Sequence, residues 1–297
     1  MINAYQDEKT HLVSVIIPAY NESSIIQQTL TKLCNFLESK GLDHEVIVCD
    51  DCSGDNMLSI VKSFASLNGR IVPLRFCARI GKGGTIKNAA RVATGRILMI
   101  LDADLPAPLS MIPQTVEIVR RSGGLAVGVR RVITGGSYGT TRRLLSASYN
   151  VLVRTLFRTG IRDHQTGFKA IDTQAARKVF SEVRSDTFLF DTDLIVNTRR
   201  LKIPVTAVEV DWMDPRVTGT SKVIPLRAAL AMLIDLLALR LSIVHGRRIM
   251  AISPVNGGVF VDEAFGTAHP ITQFHLSLRT GGLLDFLRRI YLKVIFG

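Results

Sequence analysis

Aromatic residues are scarce in this chain of 297 residues, at 6% with a single tryptophan, so the stacking platforms that bind single-stranded nucleic acid have little to be built from. Cysteine is scarce too. Cys34, Cys49, Cys52 and Cys77 are too few for a disulfide framework in a chain of this length and read as reduced thiols. Cys49 and Cys52 stand in C-x-x-C spacing, yet no second Cys or His pair completes a zinc site and no Trp or Pro context marks a redox motif. The first ten residues lack the apolar stretch of a secretory leader, which places the chain in the cytoplasm as an expectation. Acidic residues are in short supply, 25 against 37 Lys and Arg, and the formal charge of +12 calls for an anionic partner: phosphates, nucleic acid or an acidic membrane surface. Long uninterrupted apolar runs are missing as well. The greasiest stretch, 223–244, is broken by Arg227, Asp235 and Arg240, each costing roughly 2.5 to 3.5 kcal/mol near a bilayer centre, so it is expected to lie on a membrane rather than cross it.

What is present is a chain that is 47% hydrophobic, which excludes disorder. Residues 13–18 form a β-branched run ended by Pro18, and a helical pattern follows from residue 23 or 24 to 40, closed by Gly41. The unit recurs: strands at 45–49, 71–76 and 96–101 alternate with helices at 57–67 and 85–93. That alternation predicts a mostly parallel sheet covered on both faces, with ligands beyond the carboxyl ends of its strands. Residues 128–143, rich in glycine and holding Arg130, Arg131, Arg142 and Arg143, read as a mobile cationic loop. Helical pattern resumes at 144–157, and strands are expected near 168–171 and 205–210. The composition shift near Val223 divides a catalytic domain, 1–222, from a membrane-associating region, 223–297. At its end, 281–296 sets Leu283, Phe286, Leu287, Ile290, Tyr291 and Val294 on one helical face and Arg288, Arg289 and Lys293 on the other, the pattern of an interfacial helix. Packing in a homo-oligomer is the alternative use of that apolar face.

Asp102-Ala103-Asp104 directly follows the apolar strand, so its two carboxylates emerge where a parallel sheet binds ligands, and hard oxygen donors there suit Mg2+ or Mn2+. Asp50 to Asp55 repeats the placement after the second strand, offering acceptors to a base or ribose, or a helix cap. Gly81-Lys82-Gly83-Gly84 offers backbone amides and a cation at a helix start, a diphosphate cradle. It is neither a P-loop nor a dinucleotide fingerprint, since the glycine spacings differ and the first strand is followed by Pro18 to Glu22.

The order of these pieces resembles the inverting family 2 glycosyltransferases, and within them the dolichyl- or polyprenyl-phosphate hexose synthases. The matching runs are Val15 to Glu22, Asp50 to Asp55, Arg79 to Gly84, Asp102 to Asp104, Gly128 to Arg131, Arg142 to Leu144 with Ser146 and Asn150, Ile161 to Lys169, Phe190 to Leu194 and Gly219 to Val223. The resemblance implies a glycosyltransferase A fold, a Rossmann-like mixed and mostly parallel sheet flanked by helices, here with C-terminal amphipathic interfacial helices. It implies a nucleotide-sugar site of Pro18, Ala19, Tyr20, Glu22, Asp50, Lys82, Asp102 and Ala103, with metal on Asp102 and Asp104. Asp104, Asp163, Asp193 and Arg131 are its catalytic candidates, and Arg130, Arg142, Arg143, Ser221 and Lys222 its acceptor-phosphate candidates. The expected reaction moves a hexose from a nucleotide sugar to a lipid phosphate with inversion, at the cytoplasmic face of a membrane. Leu105-Pro106 replaces the Gln that mannosyl members often carry after the second metal carboxylate, and the wording of 161–169 resembles the glucosyl branch, so UDP-glucose is favoured over GDP-mannose. The competing readings are a family member with a polysaccharide or protein acceptor and, from another class, a basic nucleic-acid binder. The aromatic shortage counts against the latter, and no nucleic acid partner is expected.

Overall fold

The structure, a computed structural model, describes residues 12–132, 140–187, 189–213, 225–244, 259–262 and 267–270. Among the described residues, nine strands form one sheet in the order β7-β5-β6-β4-β1-β2-β3-β8-β9. Its centre is built from β1 (Val13–Ala19), β2 (His44–Asp50), β3 (Ile71–Phe76) and β4 (Ile97–Leu101), all parallel. The crossovers are α1 (Ile26–Ser39), α2 (Met57–Leu67) and α3 (Gly81–Val92). From β1 the chain steps outward through β2 and β3, then returns to place β4 on the other side of β1. Strand order reverses between β1 and β4, and such a switch point opens a crevice above the strands' carboxyl ends.

Alternation along the strands divides the core between the sheet's two faces. Val13, Val15 and Ile17 pack under Leu30 and Leu33 of α1, Val61 of α2, and Ile112 and Val116 of α4 (Met111–Ser122). On the other face Ile16, Ile47, Leu98 and Ile100 meet Ile86 and Ala89 of α3. Val179 of α6 (Thr173–Phe180) and Leu194 and Ile195 of α7 (Phe190–Arg200) complete that layer.

Three expectations are corrected by this architecture. Residues 125–132 are a strand, β5 (Leu125–Val132), running through the stretch read as the start of a cationic loop. Leu125 to Val127 pair antiparallel with β6 (Phe168–Asp172), and the whole strand pairs parallel with β7 (Val205–Trp212), a ladder that overrides the low strand propensity of its glycine and arginines. The second correction concerns α3, which starts at Gly81 rather than at Thr85, so the glycine cluster is its first turn. The third is a hairpin of β8 (Val259–Asp262) and β9 (Thr267–Pro270), which extends the sheet beyond β3 from within the segment assigned to membrane association. The apolar stretch read at 223–244 holds α8 (Pro225–Val244), packed on α5 (Thr140–Phe157) through Leu236, Leu239 and Val153. Among the described residues, no helix is long and apolar enough to cross a membrane. The expected helix at 281–296 lies outside the described residues.

Candidate active site

The crevice floor is the turn after β4. Leu105 N–H donates to the Asp102 carbonyl at 3.1 Å, with Leu105 at a φ of 45°, so the turn stores some backbone strain. Ala103 is pinned from beneath by the Thr29 hydroxyl, which donates to its carbonyl at 2.5 Å. Asp102 and Asp104 flank this anchored residue. Gly167 lies so close to Asp102 that a Cβ there would overlap the carboxylate, and its carbonyl accepts the Asp102 N–H at 3.1 Å. The run 161–169 is thereby tied to the D-x-D turn.

Lys82, from the first turn of α3, reaches into this site. Its Nζ lies 3.0 Å from Asp102 Oδ1 and 3.2 Å from Asp191 Oδ2, while Asp191 Oδ1 is held at 2.8 Å by Lys169. Burial pushes the Lys82 ammonium down, but Asp102 and Asp191 outweigh it and its pKa ends above the ordinary lysine value. Burial likewise pushes Asp191 up, and the two lysines outweigh it, so its carboxyl ends below the usual range. For Lys169, completely buried, burial prevails and its pKa falls. The resemblance points to Asp193, two residues on, rather than to Asp191.

The helix reverses that choice. Asp193 is buried on another side of α7, where Oδ2 accepts the N–H groups of Arg184 and Ser185 at 2.7 and 3.0 Å and Oδ1 accepts from Asn197 at 2.6 Å. Burial raises its pKa despite those amides. Its hydrogen bonds clamp the 184–185 segment onto α7, which is a structural role and corrects the catalytic expectation.

The glycine cradle is also corrected. The N–H groups of Ile80 and Gly81 are taken by the Asp51 carboxylate, at 2.6 and 3.1 Å, and that of Gly83 by the Asp186 carbonyl at 2.9 Å. Gly81 and Gly83 are glycines because the backbone of 185–186 crosses directly over them. What this turn presents to the crevice is Lys82.

At the ends of β1 and β2, Pro18 and Ala19 lie within the sheet and the Ala19 carbonyl accepts the Asp51 N–H at 3.0 Å. Asp50 is committed inward: Oδ1 accepts the Ser53 N–H at 2.8 Å and Oδ2 pairs with Arg75 at 3.1 Å, which fixes the turn after β2. Tyr20 is exposed at the rim, where the Arg79 guanidinium lies 3.8 Å from its ring centroid, a cation–π pair facing solvent. The Glu22 carbonyl starts the helical turn leading into α1 by accepting from Ile25 and Ile26.

On the far side of the crevice, Arg130 clasps Asp163 with two hydrogen bonds and lies 5.5 Å from the Trp212 ring centroid. The neighbouring His164 is fully buried: Asn150 Oδ1 accepts from Nδ1 at 2.8 Å, which leaves Nε2 to accept from the Thr159 hydroxyl at 2.7 Å. Burial holds its pKa down to about 4. Strand alternation sends Arg131 to the opposite face, where it is exposed and pairs with Asp211 across β5 and β7 at 2.6 Å, away from Asp163. Arg142 and Arg143 fall in the first turn of α5, with side chains outside the described residues; Ser221 and Lys222 lie outside them too. The acid pair Asp102 and Asp104 fits a hard divalent cation by its donor chemistry and its place at a strand end.

Residues 14–181 match the family described as glycosyl transferase family 2. The chain is 33% identical over 224 residues to Glycosyltransferase AglD of Haloferax volcanii, covering 74% of this chain and 35% of that protein, so it spans about a third of that relative's length. It is 27% identical over 245 residues to a dolichyl-phosphate beta-glucosyltransferase of Dictyostelium discoideum, covering 77% of this chain and 73% of that one. With the protein of that description from Homo sapiens it shares 29% over 258 residues, covering 81% and 78%. Among solved structures it resembles the mannosyltransferase PcManGT from Pyrobaculum calidifontis in complex with GDP-Man and Mn2+, with a TM-score of 0.55, 20% identity and coverage of 80% and 65%. It also resembles glucosyl-3-phosphoglycerate synthase from Mycobacterium tuberculosis in complex with Mn2+ and UDP-glucose, with a TM-score of 0.57, 17% identity and coverage of 88% and 86%. At these identities the two structures speak to the fold.

Proposed function

The chain belongs to glycosyl transferase family 2, and from that premise we propose that it transfers glucose from UDP-glucose to dolichyl or a related polyprenyl phosphate, inverting the anomeric carbon. The observation that carries this reading is the extended similarity to dolichyl-phosphate beta-glucosyltransferases, over 77% of this chain in one and 81% in another. Reaction at the cytoplasmic face of a membrane is part of the same proposal. Leu233 and Leu237, one turn apart on α8 and each 37% exposed, are its candidate lipid contacts.

In this reading Asp102 and Asp104 hold Mg2+ or Mn2+ beside the donor's diphosphate. The cation neutralises charge on the leaving group when bound. Lys82 brings a second positive charge to the same place, its ammonium held near the crevice by Asp191 as charge builds on the leaving group. Tyr20 and Arg79 line the nucleoside end. The nucleophile is a phosphate monoester with a second pKa near 6. It is mostly dianionic at neutral pH and needs orientation more than deprotonation; Asp163, held by Arg130, is proposed to position the sugar hydroxyls. Arg142, Arg143, Ser221 and Lys222 are proposed to receive the acceptor phosphate, and planar guanidinium forks match its oxygens.

A panel of radiolabelled UDP-glucose, UDP-galactose and GDP-mannose, each with a short polyprenyl phosphate and Mn2+, tests the donor. Label in the organic phase from UDP-glucose alone is expected. Label from GDP-mannose alone would replace glucose with mannose.

A further inference from the structure

The ion pairs at the site do not end at its wall. From the crevice inward they alternate in sign: Asp102, Lys82, Asp191, Lys169, at successive separations of 3.0, 3.2 and 2.8 Å. Lys169 is wholly buried and also donates to the Thr166 carbonyl, and Asp191 is buried to within a few per cent. Neither has the exposure needed to touch a substrate. Buried ion pairs are weak contributors to stability, and apolar side chains of like volume would hold α7 on β6 as well or better. Their charges have another use. Lys169 and Asp191 cancel, which leaves the charge of Lys82 undivided for Asp102 and for whatever anion enters beside it.

We propose that Lys169 and Asp191 are positioning residues that set how Lys82 is shared between Asp102 and the donor's diphosphate. This rests on the reading above, in which Asp102 is a metal carboxylate. While Lys82 is on Asp102, it competes with a divalent cation for that oxygen. Once the cation takes Asp102, Lys82 turns to the diphosphate without leaving Asp191, because Asp191 is the fixed end of the tether.

The consequence is a pair of opposite effects that a loosened fold does not produce. In Lys169→Met, Asp191 keeps an uncompensated charge and draws Lys82 to itself. Mn2+, titrated alone and followed by its EPR signal, should bind about fivefold more tightly, while UDP, measured by calorimetry with EDTA, should bind about tenfold more weakly. Lys169→Arg should restore both. In Asp191→Asn, Lys82 is left to Asp102 and Mn2+ binding should weaken about tenfold. Should Lys169→Met not fold, as judged by circular dichroism, Asp191→Asn and Lys169→Arg decide the matter. Wild-type Mn2+ binding that is unchanged in the folded variants, or Mn2+ and UDP affinities that fall together in Lys169→Met, overturns the inference and leaves the metal reading standing. Absence of Mn2+ binding in the wild type, or its persistence in Asp104→Ala, overturns the metal reading and this inference with it.

Discussion

Arg130 closes on Asp163 at two points, Nε to Oδ2 at 2.6 Å and Nη2 to Oδ1 at 3.0 Å, so that side chains assigned to different tasks in the sequence act as one unit. Asp163 is buried and Arg130 largely so. Arg130→Met should therefore cost about 3 kcal/mol, mainly by leaving a buried carboxylate unpaired. Pairing it with Asp163→Asn should return much of that loss while transfer stays abolished. Urea denaturation of the three variants checks the first statement and turnover the second. Equal stability of Arg130→Met and wild type would show that the clasp is not formed in solution.

Asp191 and Asp193 separate a site role from a scaffold role within one helical turn. Asp193→Ala should lower stability by about 2 kcal/mol through the unsatisfied amides of Arg184 and Ser185, with the turnover of the folded fraction within about twofold of wild type. Asp191→Ala should abolish transfer. A turnover collapse in folded Asp193→Ala would return that residue to the chemistry.

Gly167→Ala places a methyl group where the Asp102 carboxylate now sits. Displacement of that group by about 1 Å should reduce transfer about 100-fold and raise the Mn2+ concentration needed for half-maximal rate. Steady-state kinetics over a range of Mn2+ reads both, and wild-type values would remove Gly167 from the support of the site.

Two groups give the stability of the protein opposite slopes with pH. Burial lifts Asp235 on α8 to about 7, so its contribution is present at low pH and is lost as pH rises from about 4 through 7. His164 is held down to about 4, so its contribution is present above about 6.5 and is lost as pH falls toward 4. Between pH 4 and 6.5 the two slopes oppose each other. Asp235→Asn should match wild type at pH 4 and exceed it at pH 8, whereas His164→Gln should lose the acid-side decline. Thermal unfolding from pH 4 to 8 tests both, and a parallel offset of either variant at every pH would contradict the assignment.

The parallel half of the fold was legible because its strands are short β-branched runs and its helices carry strong apolar periodicity, as at 13–18 and 57–67. The D-x-D turn was legible for the same reason: an apolar strand ending in two carboxylates fixes their place at the strand's carboxyl end. Gly128 misled, since it serves a strand interior. A Cβ there would meet the Phe168 carbonyl, so glycine reflects the close approach of β6 rather than a loop. Asp193 misled because the sequence does not reveal which way a helix turns its faces. Asp191 becomes recognisable only when Lys82 and Lys169, 87 positions apart in the chain, are seen on its two oxygens. The Gly81 to Gly84 turn misled in a third way, because the Gly81 amide is taken by Asp51 and the Gly83 amide by the backbone of Asp186, neither of which a local motif can announce.

The acceptor is the centre of the account, and one partition experiment addresses it. Purified protein with labelled UDP-glucose and Mn2+ is given either a polyprenyl phosphate in detergent or the same detergent alone, and butanol-extractable glucose is counted beside an Asp104→Ala control. The account predicts extractable label that requires both the lipid phosphate and Asp104. Metal-dependent hydrolysis of UDP-glucose with no label in the organic phase would contradict it, leaving a family 2 glycosyltransferase whose acceptor is not a lipid phosphate.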